Sequence, residues 1–136
     1  MSVTSRIEID QAICADFDAE VASPRAVMVA WPNLIFDPPD DQAFITINIV
    51  CDSAEQIELG PDGRHRFVGV LFANVFCPVG RGEAEARDIA EAIGDRYRSA
   101  TRGGIVFRSP TVGAGIRDRG YLRITVQCPF IADLVR

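Results

Sequence analysis

Between positions 67 and 77 the chain is apolar on both alternating sets of positions. Phe67, Gly69, Leu71, Ala73, Val75 and Cys77 form one set; Val68, Val70, Phe72 and Phe76 form the other, with Asn74 the one polar member. A strand with one face in water alternates apolar and polar residues. This strand, predicted over 64–77, needs cover on both sides. It follows the turn Gly60-Pro61-Asp62-Gly63, in which Pro supplies a fixed φ and Gly a backbone conformation that other residues resist. One small chain has little material for two covering layers, which points to burial against a partner, and so to assembly rather than catalysis.

Other stretches show a helical period. Ile9, Ile13, Phe17 and Val21 recur every four residues, as on one helix ridge, and Ser5 with Glu8 has capping-box form. This helix is expected to stop at Ser23-Pro24, because a residue before proline avoids the helical region. A second helix is predicted over 83–99, with Ala86, Ile89, Ala90, Ile93 and Tyr97 on one face. Glu83 and Glu85 at its start and Arg96 and Arg98 near its end suit the helix dipole; Gly103-Gly104 is the expected stop. Strands are predicted over 25–31, 44–51, 56–59 and 121–130, with short ones at 105–107 and 111–112. In 44–51, Ile45, Ile47, Ile49 and Cys51 share one face and Thr46 and Asn48 the other. In 121–130, Leu122, Ile124, Val126 and Cys128 oppose Tyr121, Arg123, Thr125 and Gln127. The segment 55–76 reads as a hairpin or projecting arm. The order predicts an α+β fold, a single domain over 1–136 in which a mostly antiparallel β-sheet carries two helices packed on one face. Leu71 and Val75 are expected under the helices. Val70, Phe72 and Phe76 either complete the core against Ile45 and Ile47 or meet a neighbour, and the phase of the pattern leaves both open.

Composition narrows the function classes. A chain of 136 residues makes one domain, long enough to bury about 68% of the surface its unfolded form exposes. The net charge of −5 argues against a DNA-gripping role, since such proteins are usually basic, but leaves DNA free to pass nearby. Every basic residue is Arg; a GC-rich coding bias explains that, and so does a preference for interface ion pairs, which the arginine fork suits. Cys14, Cys51, Cys77 and Cys128 are scattered and form no C-x-x-C pair, so they are expected to act as small hydrophobes. With a single His they lack ligand spacing, and neither metal nor cofactor is expected. The polar N-terminus is no signal peptide and no apolar run reaches membrane-span length; synthesis in a reducing bacterial cytoplasm, with no membrane partner, is the expectation.

Candidate chemistry is sparse. His65 is the lone histidine and shares a turn with Asp62; a general base would want an orienting carboxylate and a nucleophile, so it reads as a turn or interface residue. Gly80-Arg81-Gly82 lies where a phosphate loop would, yet the third Gly is absent, and Glu83 and Glu85 put negative charge at the phosphate position. Gly113-Ala114-Gly115 precedes no helix, and Asp37, Asp40 and Asp41 lack EF-hand spacing. Arg64, Arg66, Arg117, Arg119 and Arg123 flank the turns and ends of two predicted strands. They read as a solvated rim or as partners for acidic loops of a neighbouring subunit. The candidate interface set is Asp62, Arg64, His65, Arg66, Arg117 and Arg119.

Trp31-Pro32-Asn33, then Phe44-Ile45-Thr46, then the run from Gln56 through Gly60-Pro61-Asp62-Gly63-Arg64-His65-Arg66 to Gly69 resemble a group of small phage proteins. Ala90-Glu91-Ala92-Ile93, Ser109-Pro110-Thr111-Val112-Gly113 and the stretch from Tyr121 to Pro129-Phe130 follow in the same order. The group is the tail terminators, or tail completion (minor tail) proteins, of long non-contractile-tailed phages, which also occur in phage-like gene transfer agents. The resemblance spans about 31–130 and is most specific at the turn and the start of the long strand. It implies a homo-oligomer, usually a hexameric ring, in the virion at the head–tail junction. Such a ring sits on the head-proximal end of the tail tube, halts polymerisation of the major tail tube protein and offers a surface to the head-completion or connector protein. DNA passes through the lumen without specific binding, and no catalytic residues carry over. Another neck or head-completion protein, an adaptor or a stopper, is the nearest alternative. A small cytosolic enzyme or ligand-binding domain is the alternative of a different class.

Overall fold

The computed structural model describes residues 6–32, 35–37, 42–56, 64–80, 83–102 and 104–135. The chain runs α1 (Arg6–Phe17), a π-helical turn (Asp18–Ala22), α2 (Ser23–Arg25), β1 (Met28–Ala30), β2 (Phe44–Gln56) and β3 (Arg64–Pro78). It continues through α3 (Ala84–Tyr97), β4 (Thr101–Arg102), β5 (Ile105–Phe107), β6 (Thr111–Val112), β7 (Ile116–Asp118) and β8 (Tyr121–Val135). The strands form one sheet in the order β1-β2-β3-β8-β5-β4. β1 runs parallel to β2 and the other pairings are antiparallel. β8 pairs with β3 along its whole length, and its other flank is taken in turn by β7, β6 and β5.

Alternation on the three long strands decides where the helices sit. Ile45, Ile47 and Ile49 of β2, Leu71, Ala73, Val75 and Cys77 of β3, and Ile124, Val126, Cys128, Phe130 and Ala132 of β8 are buried on one face. The ridges Ile9, Ile13, Phe17 and Val21 and Ala86, Ile89, Ala90, Ile93 and Tyr97 are buried with them in a single cluster. The fold is therefore α+β, a mostly antiparallel sheet with α1 and α3 on one face, as the pattern predicts. Aromatic rings join the layers: Phe17 stacks on Tyr97 at 6.5 Å and Tyr97 meets Phe107 at 4.6 Å. Gly69 stands opposite Phe130 in the register. A Cβ at Gly69 would lie 2.5 Å from the Val50 carbonyl oxygen and 2.6 Å from Phe130 Cζ. The Phe130 ring thus fills space that only glycine leaves.

Several boundaries differ from expectation, each for a local reason. The first helix runs past Ser23-Pro24 to Arg25, because the π turn brings Pro24 into the first turn of α2, where a missing N–H costs little. Ala26, at φ 53°, ends it. α3 stops at Tyr97, where Arg98 turns extended and Ser99 takes φ 49°, ahead of Gly103-Gly104. β2 absorbs the start of the strand expected at 56–59 through an irregularity between Cys51 and Ser53; 57–59 lie outside the described residues, as do Ser5 and the turn 60–63. β8 runs through Pro129 to Val135. The Pro129 carbonyl accepts from the Arg108 N–H at 2.9 Å, in the gap between β5 and β6, so no strand there needs the N–H that proline lacks. β4 and β7 are too short for any periodicity to announce.

Candidate interaction surface

The face of the sheet away from the helices holds three zones. At one end Phe44 stacks on Phe76 at 4.8 Å, Tyr121 packs edge-on to Phe44 at 5.2 Å, and Phe36 covers Phe44 at 5.4 Å. Next comes a polar ladder across the three long strands: Asn74 Nδ2 donates to Thr46 Oγ1 at 3.2 Å, and Thr125 Oγ1 donates to Asn74 Oδ1 at 2.6 Å. Beyond it lie Phe72, then Val50, Val70 and Pro129 in one cross-strand row and Val68, Ile131 and Val106 in the next. Val68 is 39% exposed and Val106 48%, and among the described residues no helix covers this zone. Val70, Phe72 and Phe76 therefore do not pack against Ile45 and Ile47, which face the helices.

Past Gly69 of β3 and Ala132 of β8, both buried, the three long strands continue as an arm. On it Arg66 forms a two-point ion pair with Asp133, Nε to Oδ1 at 2.9 Å and Nη2 to Oδ2 at 3.1 Å. This cross-strand pair fixes the register of the arm within one chain. His65 is half-buried one position earlier. Arg64 opens β3, and Asp62 lies outside the described residues. Arg117 and Arg119 are exposed at β7 and the turn that follows it, where Arg119 takes φ 50°. In the β3–β8 ladder Arg64 pairs with Val135 and Pro78 with Tyr121. The two groups of candidate residues thus stand at opposite ends, roughly 45 Å apart at about 3.3 Å per residue. The structure brings Arg64, His65 and Arg66 together and Arg117 and Arg119 together, but not the one group with the other. Arg123 stays within the chain, 3.7 Å from Asp118.

The helix layer is held by charge as well as packing. Arg96 of α3 reaches Asp16 of α1 through Nη2 at 2.6 Å and Nε at 3.3 Å, with Glu20 at 3.9 Å. The bond to Asp16 holds the Arg96 guanidinium above its ordinary pKa, against the opposing effect of burial. Burial and then the Asp16 charge push the Tyr97 phenol up. Two thiols are held away from the reactive thiolate form: burial pushes Cys128 up to about 12, and burial with the Asp10 charge raises Cys14, the reverse of what reactivity needs. The Gly113 carbonyl accepts from Arg87 Nη1 at 3.1 Å and its N–H donates to Thr125, so that glycine segment is committed to the fold. A groove of about 370 Å³ beside α1 is lined by Asp10, Gln11, Cys14, Trp31, Pro32 and Ile49; burial and the Asp10 charge there raise the Cys14 thiol rather than activating it. Among the described residues no cluster of His, Cys, Asp or Glu is placed to hold a metal ion, and no helix is long and apolar enough to cross a membrane.

The open-face residues Val50, Val106, Pro129 and Ile131 were not singled out by sequence reasoning. Their signal was present: from Thr125 to Ile131 every second residue of β8 is uncharged, in a position where a solvated face ordinarily carries charge.

The chain matches known proteins in two ways. A family model described as phage tail terminator protein matches residues 8–130. A solved structure is similar over 93% of this chain and 94% of its own, with a TM-score of 0.65 and 21% sequence identity, a likeness that shows the fold alone. No curated protein matches.

Proposed function

The chain belongs to the phage tail terminator family, a family of structural tail proteins, and from that premise we propose that it forms a ring, of six copies, on the head-proximal end of the tail tube. There it stops polymerisation of the major tail tube protein and presents the surface on which the head-completion or connector protein docks, while DNA passes through the lumen unbound. The observation that supports this reading is the β3–β8 ladder, with candidate contact groups at ends roughly 45 Å apart. A ring subunit seated between tube and connector must meet different partners at separate places, and heterologous contacts between copies close into rings when the rotation permits. Asp62, Arg64, His65 and Arg66 would serve one end, Arg117 and Arg119 the other. The net charge of −5 suits a lumen that neutralises few phosphates.

Reversing the charge of Arg117 and Arg119 together tests the assignment. The variant is expected to keep its far-ultraviolet dichroism and lose ring formation or tube capping in electron micrographs. Full capping by the Arg117→Glu, Arg119→Glu variant would remove the β7 end from the proposal.

A further inference from the structure

The uncovered face of the sheet is unlike the rest of the molecular surface. Four cross-strand rows run from Thr46, Asn74 and Thr125, through Asn48, Phe72, Gln127 and Thr111, then Val50, Val70 and Pro129, to Val68, Ile131 and Val106. None of these residues is charged, in a chain of which 24% is Asp, Glu, Lys or Arg. Arg66 with Asp133 bounds the rows at one end and Arg123 with Asp118 at the other; Arg108, exposed just after β5, stands at the rim. The polar side chains of the first row bond to one another, so dry cover over them would strand few donors or acceptors.

The elements of this chain available to cover such a face differ sharply in charge. The outer side of α3 exposes Glu85, Asp88, Glu91, Asp95 and Arg98, and the π turn exposes Asp18 and Glu20; burying these against apolar side chains would cost their hydration. The β7 end exposes Arg117 and Arg119. The α1 ridge Ile7, Gln11 and Ala15 is uncharged and exposed but one side chain wide. Among the described residues the surface that matches the open face in breadth and neutrality is the open face itself. Each end of it carries one Arg and one Asp, so a two-fold arrangement sets a neutral charge pair against another.

We propose that two copies of the free chain pack open face to open face, as an isologous sheet-on-sheet dimer. Such a contact is closed at two copies and sets the sheets about 10 Å apart. Four strands at about 4.8 Å spacing and six residue steps give roughly 400 Å² of face per copy. That makes roughly 800 Å² in all, at the lower end for transient interfaces, so the dimer is weak and concentration-dependent. The contact is separate from both ends of the β3–β8 ladder, and it stands or falls independently of the ring.

Sedimentation equilibrium of the full chain, from low to several hundred micromolar, tests it. A monomer–dimer equilibrium is expected, and Val68→Glu or Val106→Glu should weaken it about tenfold or more by desolvating an unpaired charge, with unchanged far-ultraviolet dichroism. Ile7→Glu should leave it intact. Should Val68→Glu fail to fold, Val106→Glu, at the more exposed position on the short strand β5, carries the test alone. In a sample mixing isotope-labelled and unlabelled chains, contacts between copies should join open face to open face. A strictly monomeric chain, a dimer that both Glu variants leave intact, loss of the dimer in Ile7→Glu, or helix-to-sheet contacts between copies would each overturn the proposal.

Discussion

The two faces of β3 are built from nearly the same residue types and meet opposite fates. Leu71, Ala73 and Val75 are fully buried beneath α1 and α3, whereas Val68, Val70 and Phe72, on the intervening positions, have no helix over them among the described residues. Apolar content does not distinguish them; cover does. The helices have one apolar ridge each, and both ridges are used on the first face. The second face is finished partly by the chain itself, where Phe36 closes the Phe44–Phe76–Tyr121 cluster, and is otherwise left as an uncharged surface. Exposed apolar surface beyond the needs of the monomer is the kind that marks contacts with other proteins, and the chain belongs to a family of structural tail proteins.

Substitutions on the two faces should separate accordingly. Leu71→Ala removes a fully buried side chain from the centre of the core and should cost about 2–5 kcal/mol, read as a fall in the urea midpoint at constant slope. Gly69→Ala places a methyl group against the Val50 carbonyl and the Phe130 ring; overpacking of that kind costs about 1–3 kcal/mol, and Phe130→Leu in the same chain should recover part of the loss. Alkaline pH should weaken the covered face selectively. Burial holds the Cys128 thiol protonated up to about 12, against an ordinary value of 9.0. Its contribution is therefore complete below pH 9 and is lost as pH rises toward 12, with the raised Tyr97 phenol acting in the same direction. Denaturation midpoints at pH 8 and pH 10.5 should show the decline, and Cys128→Ala should make it shallower, leaving the part due to Tyr97. Smallest of all, Val68→Thr on the open face should shift stability by less than about 0.5 kcal/mol; a loss comparable to that of Leu71→Ala would mean that the open face is core after all.

Much of this organisation is legible in the sequence. The ridges Ile9–Val21 and Ala86–Tyr97 and the alternation of Ile45–Ile49 and Leu122–Cys128 mark the core face, because period and phase are written in the residues themselves. The doubled pattern of 67–77 shows that β3 needs cover on both sides, but not which side the helices take, since both sets are apolar. That choice comes from its neighbours: Leu71 pairs with Ile49 and Cys128, whereas Phe72 pairs with Asn48 and Gln127. The lengths of β2 and β8 depend on an irregularity after Cys51 and on the gap facing Pro129, both products of long-range pairing that local propensity does not encode. For the same reason the candidate arginines read from sequence as one rim, while the structure gives Arg66 and Arg123 partners within the chain, Asp133 and Asp118, and leaves Arg117 and Arg119 exposed. The neutrality of the open face is visible only once Thr125, Gln127, Pro129 and Ile131 are set beside Val68, Val70 and Phe72.

The proposed role in ending the tail is tested most directly by tail length. Electron microscopy of particles assembled with and without this chain should show tubes that overrun their normal length and heads left unjoined when it is missing, both corrected when the chain is supplied. Tails of normal length, joined to heads in its absence, would contradict the account.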